Sequence, residues 1–153
     1  MAVSVATYIK DLSLLIRDSL ITGMTDPISG RASGHFVMTS YPLKRVTYPV
    51  ITVVASGATG AKRLGMRSNE MYGVVPVEIR VWARSAEEKD LLTQQVHQVL
   101  RTIQLTASTG TVANEAFGFV IASTTDVDET DGEGTGIAIR SKITNVEYTV
   151  ILA

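Results

Sequence analysis

Two stretches of the chain carry apolar residues at spacings of three and four, which is the periodicity of an α-helix that packs along one side. In residues 5–21 polar side chains fill the other positions, and Gly23 is placed to end the helix. The second stretch opens with Ser85-Ala-Glu-Glu88, which matches a capping box. The pattern therefore predicts amphipathic helices over 5–21 and 85–105.

Four other segments alternate apolar and polar residues or are dense in β-branched side chains, as strands are. They are Tyr48–Ala55, Met71–Arg84, Glu115–Thr125 and Ile137–Leu152. The basic, glycine-containing segment Ser56–Asn69 predicts a long exposed hairpin loop, and the acidic segment Asp126–Gly136 predicts a second loop. Residues 22–47 have little periodicity and predict an irregular connection, in which Phe36–Thr39 is a candidate short strand.

The order of elements, α-β-β-α-β-β, predicts an α+β fold in a single domain over residues 1–153. We expect a mostly antiparallel four-stranded sheet with the amphipathic helices packed on one face. Pro76 cannot donate a ladder hydrogen bond, so its amide side should face an edge or a bulge. In the last strand the apolar positions change parity between Ile143 and Val146. A bulge at 143–146 would return both sets to one face.

Composition places the chain among ordinary globular proteins, with 45% hydrophobic and 19% charged residues and a net charge of −1. Because the chain has no cysteine, disulfide frameworks, thiolate metal sites and cysteine nucleophiles are excluded. No apolar run approaches the roughly 18 residues of a membrane-spanning helix, and the N-terminus has no signal-peptide pattern. We therefore expect no membrane association.

The small net charge conceals an asymmetry along the chain. Residues 1–84 carry ten Lys and Arg against five Asp and Glu, whereas residues 85–153 carry four against ten. The basic residues Lys44, Arg45, Lys62, Arg63 and Arg67 have no acid between them, and the acidic residues Asp126, Asp128, Glu129, Asp131 and Glu133 have no base between them. Two solvated loops would explain this pattern, and so would a pair of contact surfaces.

No motif for catalysis or cofactor binding is complete. Gly57-Ala-Thr-Gly60-Ala-Lys62 has two residues between its glycines, whereas a P-loop has four. The run from Asp126 lacks the central glycine and final glutamate of an EF-hand, which leaves only adventitious cation binding. His35 and His97 have no partner at metal-ligand spacing, and no nucleophile elbow occurs. We expect neither enzymatic activity nor a cofactor.

Trp82 lies on the polar face of the second predicted strand, beside Arg80 and Arg84. One interpretation is a partly covered indole stacked on an arginine side chain. The other is an interface anchor, because Trp and Arg dominate binding hot spots.

The segment from Tyr48 to Ile103 resembles the tail terminator, or tail completion, proteins of long-tailed bacteriophages. The similar features are YPVITVV, a glycine-rich basic loop, the strand VPVEIRVWARS and the helix EEKDLLTQQVHQVLRTI that follows at once. The resemblance implies a non-enzymatic virion protein, made in the host cytoplasm, that forms a hexameric ring on the tail tube. Such a ring ends tube polymerisation, joins the tail to the head-side connector and lets DNA pass without specific binding.

Two alternatives stay open beside this interpretation: a head-completion or neck adaptor protein of the same particle, and a small-ligand module, which would need a closed apolar pocket. Within the ring hypothesis, we expect the loop with Lys62, Arg63 and Arg67 to contact a neighbouring chain. The run Asp126–Glu133 would form an opposing surface. The competing placement for the basic loop is the channel wall, in contact with DNA phosphates.

Overall fold

The computed structural model describes residues 6–40, 46–63, 65–66, 71–108, 116–130 and 138–152. The helices are α1 (Tyr8–Gly23) and α2 (Ala86–Ser108), with a 3₁₀ turn at Ser33–His35, and the strands are β1 (Val37–Met38), β2 (Val50–Ala55), β3 (Thr59–Arg63), β4 (Met71–Ala83), β5 (Ala116–Thr130) and β6 (Ala138–Leu152). Both predicted helices and all four predicted long strands are present. The candidate short strand is β1, and β3 lies where only a loop was predicted.

The strands form one mixed sheet. Within the described residues it has six strands in the order β1-β2-β4-β6-β5, and β3 pairs with β4 beyond the end of β2. β1 runs parallel to β2, and all other neighbours are antiparallel. The α+β class is thus confirmed, whereas the four-stranded sheet and the order α-β-β-α-β-β are wrong. The two additional strands are short: β1 is the two-residue candidate strand, and β3 was not predicted because TGAKR lacks alternating apolar residues.

Pro76 explains why β2 and β3 are two strands rather than one. Both pair with the same side of β4, and the chain between them is interrupted at Ser56–Ala58. The carbonyl of Pro76 points to that side, where it accepts a hydrogen bond from the amide of Ser56 at 2.9 Å. In an extended strand the amide nitrogen points the same way, and proline has no proton to donate there. The predicted irregularity opposite Pro76 is confirmed.

The predicted bulge at 143–146 is wrong. β6 pairs with β4 without a shift along all 13 residues of β4. The irregularities are on the neighbouring strand β5, where Ala122 is an extra residue opposite the step from Asn145 to Val146. The parity change places the two apolar sets of β6 on opposite faces. Lys142 and Thr144 therefore take the helix-side positions before Val146. These polar residues are tolerated there because they contact Asp90 and His97 of α2.

Both helices pack on one face of the sheet, as predicted. α1 buries Leu12, Ile16 and Leu20, and α2 buries Leu92, Val96, Leu100 and Ile103. The sheet contributes alternate residues, chiefly Ile51, Val53, Val75, Val77, Ile79 and Val81. None of the helices among the described residues combines the length and apolar character needed to cross a membrane.

The capping serine at the start of α2 is confirmed. Glu88 differs from a capping box in that it accepts from the amide of Arg84 rather than from that of Ser85. The hydroxyl of Ser85 accepts from the amide of Glu88 at 3.2 Å. The Glu88 carboxylate accepts from the amide of Arg84 at 3.0 Å and from its guanidinium at 2.8 Å. The hydrogen bond from the Arg84 side chain is the chief reason that the pKa of Glu88 is lowered.

Arg31 holds the irregular connection between α1 and β2. Its guanidinium donates to both carboxylate oxygens of Asp26, at 2.7 and 2.5 Å, and to the carbonyl of Thr47 at 2.6 Å. It also lies 5.0 Å from the centre of the Phe36 ring. The hydrogen bond from Arg31 holds the pKa of Asp26 below its usual range. These contacts join the two ends of the connection, which lets β1 lie parallel to β2.

The contact between Gly23 and Val99 provides a stability test of helix packing. A Cβ atom at Gly23 would lie 2.6 Å from Cγ2 of Val99, a stiff β-branched side chain. Overpacking of this kind lowers the free energy of unfolding by about 1–3 kcal/mol. The higher helix propensity of alanine relative to glycine offsets up to about 1 kcal/mol of that loss. We expect Gly23→Ala to lower the free energy of unfolding by about 1 kcal/mol in urea titrations.

The matched control is Gly34→Ala, because a Cβ atom at Gly34 would meet nothing within 4 Å. That variant should stay within about 0.5 kcal/mol of the parent. Combining Gly23→Ala with Val99→Ala should recover part of the loss, since the two sites are in contact. Purely additive losses would show that the close approach does not limit the packing of α1.

Candidate functional site

The predicted basic loop is in part a strand. Lys62 and Arg63 are residues of β3, paired with Tyr72 and Met71 of β4, and both are solvent-exposed. The expectation that they project from a long loop is therefore corrected, because β4 extends far enough to pair with this segment. Met66, beyond β3 in the connection to β4, is 96% exposed. Arg67, Lys44 and Arg45 lie outside the described residues.

The predicted acidic loop is also shorter than expected. Asp126, Asp128 and Glu129 are residues of β5, which continues to Thr130. They lie opposite Lys142, Arg140 and Ile139 of β6. The pairing of β5 with β6 supplies the backbone partners that overcome the low strand propensity of the acids. Asp131 and Glu133 lie outside the described residues.

Asp126 takes part in an ion-pair network within the subunit, although its side chain is more than half exposed. Its carboxylate is 2.5 Å from the ammonium of Lys89, a buried residue of α2, and 3.6 Å from that of Lys142. The Lys142 ammonium also donates to Asp90 of α2 at 2.8 Å. The hydrogen bond from Lys89 is the main cause of the lowered pKa of Asp126, and the one to Asp90 is the main cause of the raised pKa of Lys142.

His97 closes the same polar region about two helical turns after Lys89 on α2. Its Nε2 lies 3.1 Å from the hydroxyl of Thr144 on β6 and 3.4 Å from that of Thr124 on β5. A neutral imidazole can accept at Nε2 from these hydroxyls. Burial, reinforced by the positive charges of Arg101 and Lys142, lowers the pKa of His97. The ring is therefore held neutral between the helix and the sheet.

Trp82 lies on the face of the sheet that the helices leave open. The guanidinium carbon of Arg80 is 3.9 Å from the centre of the indole ring, which confirms the stacked arrangement. Arg80 also donates through Nε and Nη2 to the hydroxyl of Ser141, at 3.1 and 3.0 Å, and that hydroxyl donates to the carbonyl of Val127 at 2.8 Å. The stack is thus fixed to the neighbouring strand β6 and, through Ser141, to β5 beyond it.

A pocket of about 440 Å³ lies beside the irregular connection. Its lining combines Ile28, Met38 and Val46 with Ser29, Gly30, Arg31, His35 and Thr47. Its rim includes exposed polar residues, and its arginine is already paired with Asp26. The pocket therefore differs from the closed apolar one that a small-ligand module would need. Among the described residues, no group of three His, Asp or Glu side chains could hold a metal ion.

Sequence analysis missed the polar region formed by Lys89, Asp126, Lys142 and His97. Two features of the sequence indicate it. Lys89 lies three residues before Leu92, on the apolar side of the helix, and Lys142 lies four residues before Val146, on the same face of the strand. Both break a buried pattern, and a buried lysine is almost always paired. The partners themselves are distant in sequence, so only the register of β5 and β6 brings them together.

Comparison with protein-family models and with curated protein sequences finds no match for this chain. Functional inference therefore rests on the surfaces described above and on the pattern of the sequence.

Removing the Asp126 carboxylate should loosen the attachment of α2 to β5 at neutral pH. Because the pKa of Asp126 is lowered in the folded chain, its contribution to stability is present above the usual aspartate pKa of about 3.9 and is lost as pH falls through the lower folded value. We expect Asp126→Asn to be less stable than the parent at pH 7, with the difference shrinking at acidic pH. Thermal unfolding across pH 2–7 measures this, and a pH-independent difference would contradict the ion-pair interpretation.

His97 should make stability depend on pH in a different range. Its pKa is lowered on folding, so the unfolded chain binds the proton at higher pH, and stability falls as pH drops through about 6.5. His97→Gln keeps a polar group near Thr144 but does not titrate. We expect this variant to show a flatter slope of unfolding free energy against pH between pH 5 and 7. His35→Gln, a change at an exposed residue, is the control and should keep the parent slope.

Proposed function

We propose that this protein is a non-enzymatic structural protein of a phage virion that forms a ring at the head-proximal end of the tail tube. There it ends polymerisation of the tube and joins the tail to the head-side connector. Its partners would be further copies of itself, most simply six in a ring, the tail tube protein and the connector protein. DNA would pass through the channel without specific binding.

The observation that carries the proposal is the β3–β4 hairpin. Lys62 and Arg63 are exposed on β3, and Met66, in the connection that follows, is almost completely exposed. A flexible thioether side chain beside two cations is typical of a contact surface, because methionine adapts to many partner shapes. The hairpin also belongs to the segment that resembles tail terminators, Tyr48–Ile103.

Exposed charge pairs contribute only about 0–1 kcal/mol each. Contacts made by Lys62 and Arg63 would therefore set register and encounter rate more than total affinity. Asp126 would add little to an opposing acidic surface, because its carboxylate, although more than half exposed, is already paired with Lys89 and Lys142. We infer that the partner of the basic hairpin lies on the tube or the connector. Placement in the channel is less favoured, since repeated cations would bind the phosphates of the passing DNA.

The function itself is tested in particles of the virus that encodes the protein. Labelling a tagged chain should locate it between head and tail, at a copy number consistent with a ring. Particles made without it should contain heads and tails that fail to join. Absence of the chain from purified virions, or one copy per particle, would contradict the proposal.

The contact made by the hairpin is tested by reversing its charges. We expect the combined change of Lys62, Arg63 and Arg67 to Glu to block joining of tails to heads while the subunit stays folded, because Lys62 and Arg63 are exposed on β3. Titre and electron microscopy of the particles measure the loss, and circular dichroism reports the fold.

A matched control reverses Lys10, Arg101 and Arg140, which are equally exposed on other elements and give the same change in net charge. This variant should assemble nearly as well as the parent. Normal infectious particles from the hairpin variant would mean that its cations are merely solvated. Equal losses in both variants would point to net charge rather than to a contact.

A further inference from the structure

The sheet has one face that no described helix covers. Both helices pack on the side of Val53 and Ile79, so the alternate residues of β2, β4, β5 and β6 point away from them. Several of these outward residues are apolar and only half-buried, namely Val54, Val74, Trp82, Val127 and Ile143. A solvent-facing side of an antiparallel sheet is normally polar. Trp82, Ile143 and Val127 lie near one another on three adjacent strands. An apolar cluster of this kind indicates a surface that contacts another protein.

The size of this open face suits a stable protein contact. β4 has 13 residues, and β5 and β6 have 15 each. β2 adds little, because its outward residues Val50 and Thr52 are already buried. With strands about 4.8 Å apart and a rise of about 3.4 Å per residue, the planar footprint is roughly 700 Å². Stable interfaces bury about 800 Å² on each partner. The open face could therefore supply most of one side of an interface.

The opposite side of the subunit offers a matching feature on α2. Leu91 is 53% exposed, although its neighbour Leu92 is buried against the sheet. Glu87, one turn earlier on the same side of the helix, is also exposed. Residues four apart on a helix have Cβ atoms about 5–6 Å apart. The outward side of α2 thus presents an apolar and a negative group at a fixed separation.

The open face carries the complementary pair at nearly the same separation. Ile143 of β6 lies directly opposite Arg80 of β4. Directly opposed residues have Cβ atoms about 4.5–5.5 Å apart. An apolar and a positive group therefore lie side by side next to the Trp82 ring, which stacks on Arg80. If Leu91 packs on Ile143, Glu87 can therefore lie close to Arg80 in the same arrangement.

We propose that the open face of the sheet binds the outward side of α2 of a second copy of this chain. Leu91 of one copy packs on Ile143 and Trp82 of the next, and Glu87 approaches Arg80. The contact joins two different surfaces, so a pair of copies keeps one free surface of each kind. Further copies can add until the rotation between them closes a ring; without closure they form a filament. This contact specifies the subunit interface of the proposed ring and depends on the proposed function only for its place in the virion.

Site-specific cross-linking tests the contact in the purified protein, which has no cysteine of its own. In concentrated solution, a short bismaleimide should link the double variant Leu91→Cys/Ile143→Cys into dimers and longer chains. Either single variant should give only background product. The pair Lys10→Cys/Ile143→Cys, with an exposed position on α1, is the matched control and should also stay unlinked. Linking by Ile143→Cys alone would indicate face-to-face sheet packing and overturn the proposal.

Sedimentation provides a second measurement that does not require cross-linking geometry. The parent should associate at high concentration, whereas Leu91→Lys and Ile143→Lys should each remain monomeric with unchanged circular dichroism. A mixture of the two variants retains one intact contact and should form dimers but nothing larger. A monomeric parent, or a Leu91→Lys variant that associates like the parent, overturns the contact. Failure to find the chain at the tail end of virions would overturn the proposed function and leave this contact standing.

Discussion

The unbroken hydrogen-bonded ladder between β4 and β6 is the constraint on which the rest of the fold depends. It keeps one register over all 13 residues of β4, and strand side chains alternate strictly, so it fixes the face of every residue on both strands. Val77 and Val146 thereby meet under the helices, while Arg80 and Ile143 meet on the open face. The irregular features lie on the flanking strands, at the break between β2 and β3 and at the bulges of β5.

That register also determines where the apolar core between the sheet and the helices is replaced by polar residues. At the start of β6 the helix-facing positions are Lys142 and Thr144, so the apolar layer gives way to a polar one between sheet and helix. Lys89, Asp126 and His97 complete it, and each buried polar group has a partner there. The consequence for function is that Asp126 is used inside the subunit. Lys62 and Arg63 of the β3–β4 hairpin, by contrast, are exposed cations.

A two-layer fold with an open sheet face has two unlike sides. One side is helical, with Leu91 exposed, and the other is a sheet face with half-buried apolar residues, among them Trp82 near the end of β4. Unlike sides allow head-to-tail association, in which successive copies repeat the same contact. This property links the fold to the proposed structural role, because a ring on a tube needs repeated contacts between copies and a separate surface, such as the hairpin, for its other partners.

Local pattern by itself determined both helices, the four long strands and the capping serine of α2, and it offered the stacking of Trp82 on an arginine as one of two interpretations. Each depends on residues close in sequence or on the period of the backbone. Tertiary structure decided the rest. Strand β3 forms because β4 extends beside it, and Asp128 and Glu129 are strand residues because β6 pairs with them. The bulge expected in β6 lies in β5, and Lys89 finds Asp126 across 37 residues of chain, because register and contact partners are properties of paired strands that no single segment encodes.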